Sequence, residues 1–432
     1  MLPFMTDISF KRILSIQSSV SWGYCGNKSA TFPLQLLGYD VSTINTVQFS
    51  NHTGYGHWRG QSLTYQHLMD LYKGLKENDF IREYQFLLTG YVPGKEGVES
   101  ILHISKDLKE VNPSIGWLLD PVLGDQGRFY VSEEVIPVYK QLIPMCDLIT
   151  PNQFESRLFI YRGNGFLIQN RVLSGEKITS FDTLLYCLEV LHKKYNLKHI
   201  VISSVQFSSN NKELHVIASS CKSDYTPRAV KITVPYYDYV LVGIGDLFSA
   251  LLLGQFGSHI KSTVPDEIDA TLMPLSHALE LVVASVQAVI RNTVKSILNN
   301  PVYQKEQLST AQMFKLSELC IIQSQDELKN PTVEYKACRL STAFDAFMLE
   351  LEYLNASPSL PFSFPDSQLV LENGSGEDLT NKDFWLKKAE ELVNLEKQID
   401  EYRENKTLEN IGETLTKLQD EINQTLQIYF PI

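Results

Sequence analysis

From residue 12 to residue 205, short β-rich runs alternate with stretches of helical spacing, and this alternation limits the fold more than any other feature of the chain. RILSIQS (12–18) ends in polar residues. NKSATFPLQLLG (27–38) has helical spacing and closes at Gly38, where a C′ glycine belongs. YDVSTINTVQFS (39–50) returns to strand character. A strand, a helix and a strand in that order need a crossover, so the strands are predicted to pair in parallel. The alternation continues with a helix over 61–78, a strand over 84–92, a helix over 96–111 and a strand over 115–122 that ends at an Asp. A helix over 132–142 with Ser132 as N-cap, a strand over 146–152, a Ser-capped helix over 180–196 and a strand over 198–205 follow. Repeated βα units predict an α/β class: a doubly wound, mostly parallel sheet with helices on both faces.

Residues 206–239 read as short antiparallel edge strands around an Asn210-Asn211 turn. VLVGIGDLFSALLLG (240–254) then reads as a buried strand handing over, through two glycines and a carboxylate, to a buried helix, with helical segments continuing to about Asn300. The pattern weakens after Leu340, which predicts a catalytic domain over 1–340. Residues 341–380 read as a linker, its 356–380 portion rich in Ser, Pro, Gly and Asn. Over 381–432, Leu392, Leu395, Ile399 and Tyr402 recur at three and four spacing, as do Leu408, Ile411, Leu415, Leu418 and Ile422 in a shifted phase. That is an amphipathic helical extension, a hairpin broken near Glu404–Lys406, which packs on its own domain or offers a face to an unidentified partner or a second copy.

The bulk numbers exclude more than they select. A net charge of -12 argues against a nucleic-acid binder, although backbone amides can still hold an anionic ligand. The six cysteines form no C-x-x-C pair, so neither a zinc site nor a disulfide framework is expected. The opening MLPFMTDISFKRILSIQ has no secretory pattern and no apolar run is expected to reach membrane-spanning length. The expectation is a reduced, cytoplasmic or nuclear protein with no membrane partner.

In doubly wound sheets, ligands bind at the carboxyl ends of the strands. Polar residues gather there: Ser18, FSNHTGY (49–55), Gly90-Tyr91, DPVLGD (120–125), TPNQFE (150–155), Ser203-Ser204 and GIGD (243–246). Glycines let backbone N–H groups approach a ligand, and a helix N-terminus adds positive dipole character, so the GIGD turn suits a phosphoryl group. Asp246 beside it is placed either to accept the proton of an attacking hydroxyl or merely to cap the helix. GYCGNKSA (23–30) imitates a P-loop, but Asn27 separates Gly26 from Lys28, which belongs on the first helix. The carboxylates Asp120, Asp125 and Glu155 suit a hard cation, Mg²⁺ or K⁺, although turn and cap roles fit the same residue types. His52 and His57 lack zinc spacing and read as hydrogen-bonding or core residues.

Taken together, ILSIQSSVSWGYCGNKSATFPLQLLG, INTVQFSNHTGYGHWRGQ, LTGYV, DPVLGD, DLITPNQFE and VGIGDLFSALLL resemble the pyridoxal kinases of the ribokinase-like superfamily, in order from about residue 12 to about residue 340. The resemblance implies ATP-dependent phosphorylation of the 5′-hydroxyl of pyridoxal, pyridoxine and pyridoxamine. It implies that Ser18, Val47, Thr53 and Tyr91 line the vitamin pocket, that Asp246 is the base, and that Gly243 and Gly245 form the anion hole. It further implies Asp125 at Mg²⁺ and Asp120, Thr150 and Glu155 around a monovalent cation, K⁺, and the phosphates. Asn152, Tyr130, Ser203, Ser204 and Gly245 would contact ATP, with LGDQGRFYV (123–131) as the nucleotide lid. The implied assembly is a homodimer.

Four departures stand out. The family's G-T-G-D reads Gly243-Ile244-Gly245-Asp246, Cys25 replaces a small β-branched residue, the lid is short, and residues 341–432 have no counterpart in the family pattern. The loss of a hydroxyl at Ile244 keeps open a catalytically weakened B6-binding or scaffold protein. A kinase for a related hydroxymethyl heterocycle, such as hydroxymethylpyrimidine, is the other alternative.

Overall fold

The four-residue runs Phe86–Thr89 (FLLT) and Gly116–Leu119 (GWLL) are buried at every position, the mark of strands covered on both faces. They are β4 and β5 of the computed structural model, which describes residues 11–160, 178, 180–207, 212–303 and 308–340. The predicted linker, the predicted helical extension and the Asn210-Asn211 turn lie outside the described residues. The other strands are β1 (Lys11–Val20), β2 (Tyr39–Phe49), β3 (Gly60–Ser62), β6 (Gly124–Asp125), β7 (Arg128–Phe129), β8 (Leu148–Ile149), β9 (His199–Val205), β10 (Glu213–Ser220), β11 (Ala229–Pro235) and β12 (Cys338–Leu340).

Ten strands form one sheet in the order β12-β11-β10-β9-β8-β5-β4-β1-β2-β3. The stretch from β2 to β9 is parallel throughout. β3 at one edge and β10 to β12 at the other run antiparallel. Side chains alternate between two cores. Leu87, Trp117 and Leu119 pack with Leu68, Ile101, Tyr139, Phe159 and Leu188 of the helices Tyr65–Glu77, Gly94–Val111, Ile136–Leu142, Gln153–Ile160 and Phe181–Tyr195. Leu88 and Leu118 pack on the opposite face with Leu34, Leu251 and Val282 of the helices Asn27–Leu36, Ile244–Phe256 and Pro274–Leu298. The helix Ile244–Phe256 is buried almost all round, with Leu247, Ala250, Leu251, Leu252 and Leu253 fully covered. Each buried leucine is worth roughly 1.5–3 kcal/mol, so the first turn of that helix stands on a rigid support.

Several expectations need correcting. Gln61 and Ser62 belong to β3 rather than to a helix; Gly60, at φ 135°, lets the chain return so that Val47 faces Ser62. The run Val240–Val242 is not a strand, and Val240 is 59% exposed. The edge of β11 is taken by β12, and the Tyr239 N–H turns back to the Tyr237 carbonyl instead. Ser132 makes no side-chain cap; the chain enters the helix Ile136–Leu142 through a 3₁₀ turn, Glu133–Val135. The helix Pro274–Leu298, at 25 residues, is long and apolar enough to cross a membrane by length and composition, contrary to expectation. It is a core helix here, with Leu279, Val282 and Val289 fully buried. By contrast, Ser180 caps its helix through a capping box with Thr183, as expected.

Candidate active site

The chain passes from β1 to β2 on one side and then crosses to β4 on the other, so the strand order switches between β1 and β4. Crevices open at such points, at the carboxyl ends of the strands. Asn27 ties the floor of this one together. Its Oδ1 accepts from the Ser15 hydroxyl at 2.7 Å, and its Nδ2 donates to the Gln17 and Ile44 carbonyls and to Asn45 Oδ1. Ser18, at the end of β1, and Val47, in β2, are buried beside this crevice. Tyr91 is half-buried past the end of β4, and its carbonyl accepts from the Thr46 hydroxyl at 2.8 Å. Thr53 is exposed at the start of the 3₁₀ turn Thr53–Tyr55. His52 caps that turn, its Nδ1 accepting from the Gly54 N–H at 3.1 Å, which is the hydrogen-bonding role expected of it.

Asp246 stands in the first turn of the helix Ile244–Phe256, whose N-cap is Gly243 at φ 86°. A side chain at Gly243 would run into the Tyr24 carbonyl, and the Gly243 carbonyl accepts from the Ser29 hydroxyl at 3.0 Å. A Cβ at Gly245 would enter open space, and the residue is exposed. Asp246 does not cap its helix: its Oδ2 accepts from the Gly26 N–H at 2.7 Å, across 220 residues of sequence. Burial pushes its carboxyl up to about 6, against the pull of the Gly26 N–H. A carboxylate near 6 is a better proton acceptor at neutral pH than one at the ordinary value of about 3.9. Cys25, next in the same loop, is buried, and desolvation with the charges of Asp246 and Glu318 holds it as a thiol. Lys28 is exposed on the helix Asn27–Leu36, so the P-loop imitation is only that.

The acidic wall is built on β5 and β8. Asp120 Oδ2 accepts from the Ser249 hydroxyl at 2.8 Å, and the Thr150 and Ser249 hydroxyls are 2.9 Å apart. Since Ser249 gives its proton to Asp120, Thr150 is the donor to Ser249. Ser249 was not singled out from the sequence, yet it lies three residues after Asp246, on the same helix face. Glu155 Oε1 accepts from the Leu123 and Gly124 N–H groups and its Oε2 from the Asn152 N–H. Asn152 donates to the Gly124 carbonyl and accepts from the Glu155 N–H. Both side chains therefore anchor the hairpin of β6 and β7, which is the short predicted lid. Its Gln126-Gly127 turn has positive φ at both residues, as a two-residue hairpin turn requires. Asp125 is half-buried in β6, with its Oδ1 accepting from the Gln126 N–H. Tyr130, at the end of the hairpin, is 57% exposed. Ser203 and Ser204 lie half-buried toward the end of β9, and the Ser203 N–H donates to the Pro151 carbonyl.

These carboxylates crowd one another. Asp120 is raised well above its ordinary value by burial and by the charges of Glu155 and Asp246, with the Ser249 hydroxyl opposing. Burial raises Glu155 to about 8, against its three backbone donors. Burial also raises Asp125. None of the four is in an ion pair among the described residues. A crowded, unpaired set of oxygens fits a hard cation. Among the described residues no three Asp, Glu, His or Cys converge on a single point. An ion there would combine one or two carboxylates with phosphate and water oxygens, as Mg²⁺ does.

No family model matches the chain. Curated relatives do: the pyridoxal kinase of Arabidopsis thaliana is 38% identical over 332 residues, covering 76% of this chain and 95% of the relative. The pyridoxal kinase of Homo sapiens is 34% identical over 337 residues, covering 76% and 97%. Among solved structures, pyridoxal kinase from Leishmania donovani in complex with ADP and pyridoxamine superposes with a TM-score of 0.63 at 27% identity, over 77% of this chain and 100% of the other.

Proposed function

The chain belongs to the pyridoxal kinase family, and on that premise we propose that Asp246 is the base of the reaction it catalyses. The reaction is the ATP-dependent phosphorylation of a B6 vitamer at its 5′-hydroxyl. One observation carries the assignment of the base: Asp246 is a carboxylate with a raised affinity for protons, in the first turn of a helix behind two glycines.

The vitamer lies along Ser18, Val47, Thr53 and Tyr91, with its hydroxymethyl group toward Asp246. Asp246 takes the hydroxyl proton as the oxygen attacks the terminal phosphorus of ATP, whose bond to the bridging oxygen breaks so that ADP leaves. The N–H groups from Gly243 to Asp246 and the dipole of their helix stabilise the charge on the transferring group. Phosphoryl transfer asks a protein mainly for positioning and charge stabilisation, and both are supplied by groups fixed on the sheet. Mg²⁺ held from Asp125, with a monovalent cation beside Asp120, Thr150 and Glu155, would neutralise charge on the phosphate oxygens. The β6–β7 hairpin and Tyr130 would border the nucleotide, with Ser203 and Ser204 beyond. A homodimer and a cytoplasmic or nuclear location complete the reading; both rest on the sequence resemblance and composition.

The test is turnover of the purified chain with pyridoxal and ATP, read as pyridoxal 5′-phosphate formed. Vitamer binding without turnover would leave a weakened binding or scaffold protein. A preference for hydroxymethylpyrimidine would move the chain to another acceptor.

A further inference from the structure

We propose that Glu318 is a positioning residue for this reaction, bracing both the vitamer pocket and the loop that holds the base. The proposal rests on the vitamer lying at the ends of β1, β2 and β4, as read above.

Glu318 follows the helix Thr310–Leu316 and reaches back across nearly the whole catalytic unit. Its Oε1 accepts from the Tyr55 hydroxyl at 2.7 Å, and its Oε2 accepts from the Tyr24 N–H at 3.1 Å, 294 residues away in sequence. Gly23 packs so closely on the carboxyl that no side chain fits there without displacing it. Phe314, one turn earlier, stacks on His52 and Tyr55 with ring centroids 5.8 and 5.4 Å apart, and Gly54 lies under its ring.

Burial raises the proton affinity of Glu318, which is half-buried and, among the described residues, in no ion pair; the Tyr55 hydroxyl and the Tyr24 N–H oppose this by donating to its charged form. A lone carboxylate in such a place is a net burden on the fold unless the geometry it enforces is used. That geometry joins two loops. One is the turn Thr53–Tyr55, which carries Thr53. The other runs through Tyr24 to Gly26, whose N–H is the donor to Asp246. Without the Glu318 carboxyl, the turn loses its hydrogen-bonded tie and keeps only the Phe314 contact from this segment. The Gly26 N–H then holds Asp246 less firmly, and Asp246 keeps its proton to higher pH.

The experiment compares the full chain with Glu318→Ala and Glu318→Gln, measuring KM for pyridoxal and for ATP and the pH profile of kcat/KM for pyridoxal. Glu318→Ala should raise the pyridoxal KM by about tenfold, the size of a lost hydrogen bond to a charged group. The ATP KM should stay within about twofold, and the acid limb should move up by about half a unit as a hydrogen bond to the ionised form weakens. Glu318→Gln keeps an acceptor for Tyr55 but not for both donors. It should recover part of the KM effect and leave the limb shifted. It is close in shape to the parent, so it decides the matter if Glu318→Ala fails to fold. Unchanged pyridoxal KM and limb, or equal changes in both KM values with lower thermal stability, would overturn the proposal. If the parent chain itself does not phosphorylate pyridoxal, the functional reading fails instead.

Discussion

On the acidic side of the site, Asp120 and Thr150 follow β5 and β8 and Glu155 stands in the first turn of the helix Gln153–Ile160; all three have 3–7% exposure and are joined by short hydrogen bonds to Ser249 and the backbone. On the vitamer side, Thr53 stands exposed in a three-residue turn that is held from a distance by Glu318 and Phe314. On the proposed assignment, the contrast follows from the task of each side. Charge stabilisation needs groups that do not reorganise, so it is built on strand ends and on helices packed against the sheet. Recognition of a small heterocycle needs closure around it, so it is built on loops. Asp246 belongs to both. Its helix is anchored in the core, while its carboxylate is held by the loop at Gly26.

Substitutions can break this division, and the largest effect belongs where the two sides meet. Asp246→Asn keeps the shape and removes the proton acceptor, so kcat should fall by about 10²–10⁴-fold with ATP binding intact. The folded chain raises this carboxyl to about 6, above its unfolded value, so the charged form opposes folding. Its contribution to stability is present at low pH and lost as pH rises through about 6. The thermal midpoint of Asp246→Asn at pH 7 should therefore equal or exceed that of the parent; a clear drop would make Asp246 a structural residue.

Asp120→Asn comes next. It removes a carboxylate of the acidic side, so kcat/KM for ATP should fall by about 10–10²-fold, the scale of a lost contact to a catalytic cation or its phosphates. The pyridoxal KM should hold within about twofold. An equal loss for both substrates would end the division into two sides.

Ile244→Thr is the smallest. It restores a hydroxyl beside the phosphate turn, but Ile244 is also packed against the core that holds Leu88, Leu118 and Leu251. Turnover should stay level or rise by a few-fold, with about 1 kcal/mol of stability lost in a denaturant titration. A large fall in turnover would show that the packing of Ile244 sets the geometry of the turn.

The acidic side was legible in the sequence and the bracing of the vitamer side was not. Asp120 and Thr150 directly follow β5 and β8, so the short continuous apolar runs that mark those buried strands also find them. The raised proton affinity of Asp246 could not be read, because it depends on burial by a helix and a loop far apart in sequence. Glu318 carries no local mark at all; its partners lie 263 and 294 residues away. Val240–Val242 misled for the opposite reason, since its apolar residues look like a strand while the edge it would need is filled by β12. Periodicity reports which face is buried. It does not report which edge is free.

Asp246, as the proposed proton acceptor, must titrate in its folded setting. The most direct measurement is the pH dependence of kcat/KM for pyridoxal between pH 5 and pH 8, in the parent chain and in Asp246→Asn. The parent should show an acid limb near pH 6, with activity rising as the carboxyl loses its proton. The limb should disappear from the residual activity of Asp246→Asn. A parent profile that is flat through pH 6, or a limb that survives unchanged in Asp246→Asn, would contradict that role.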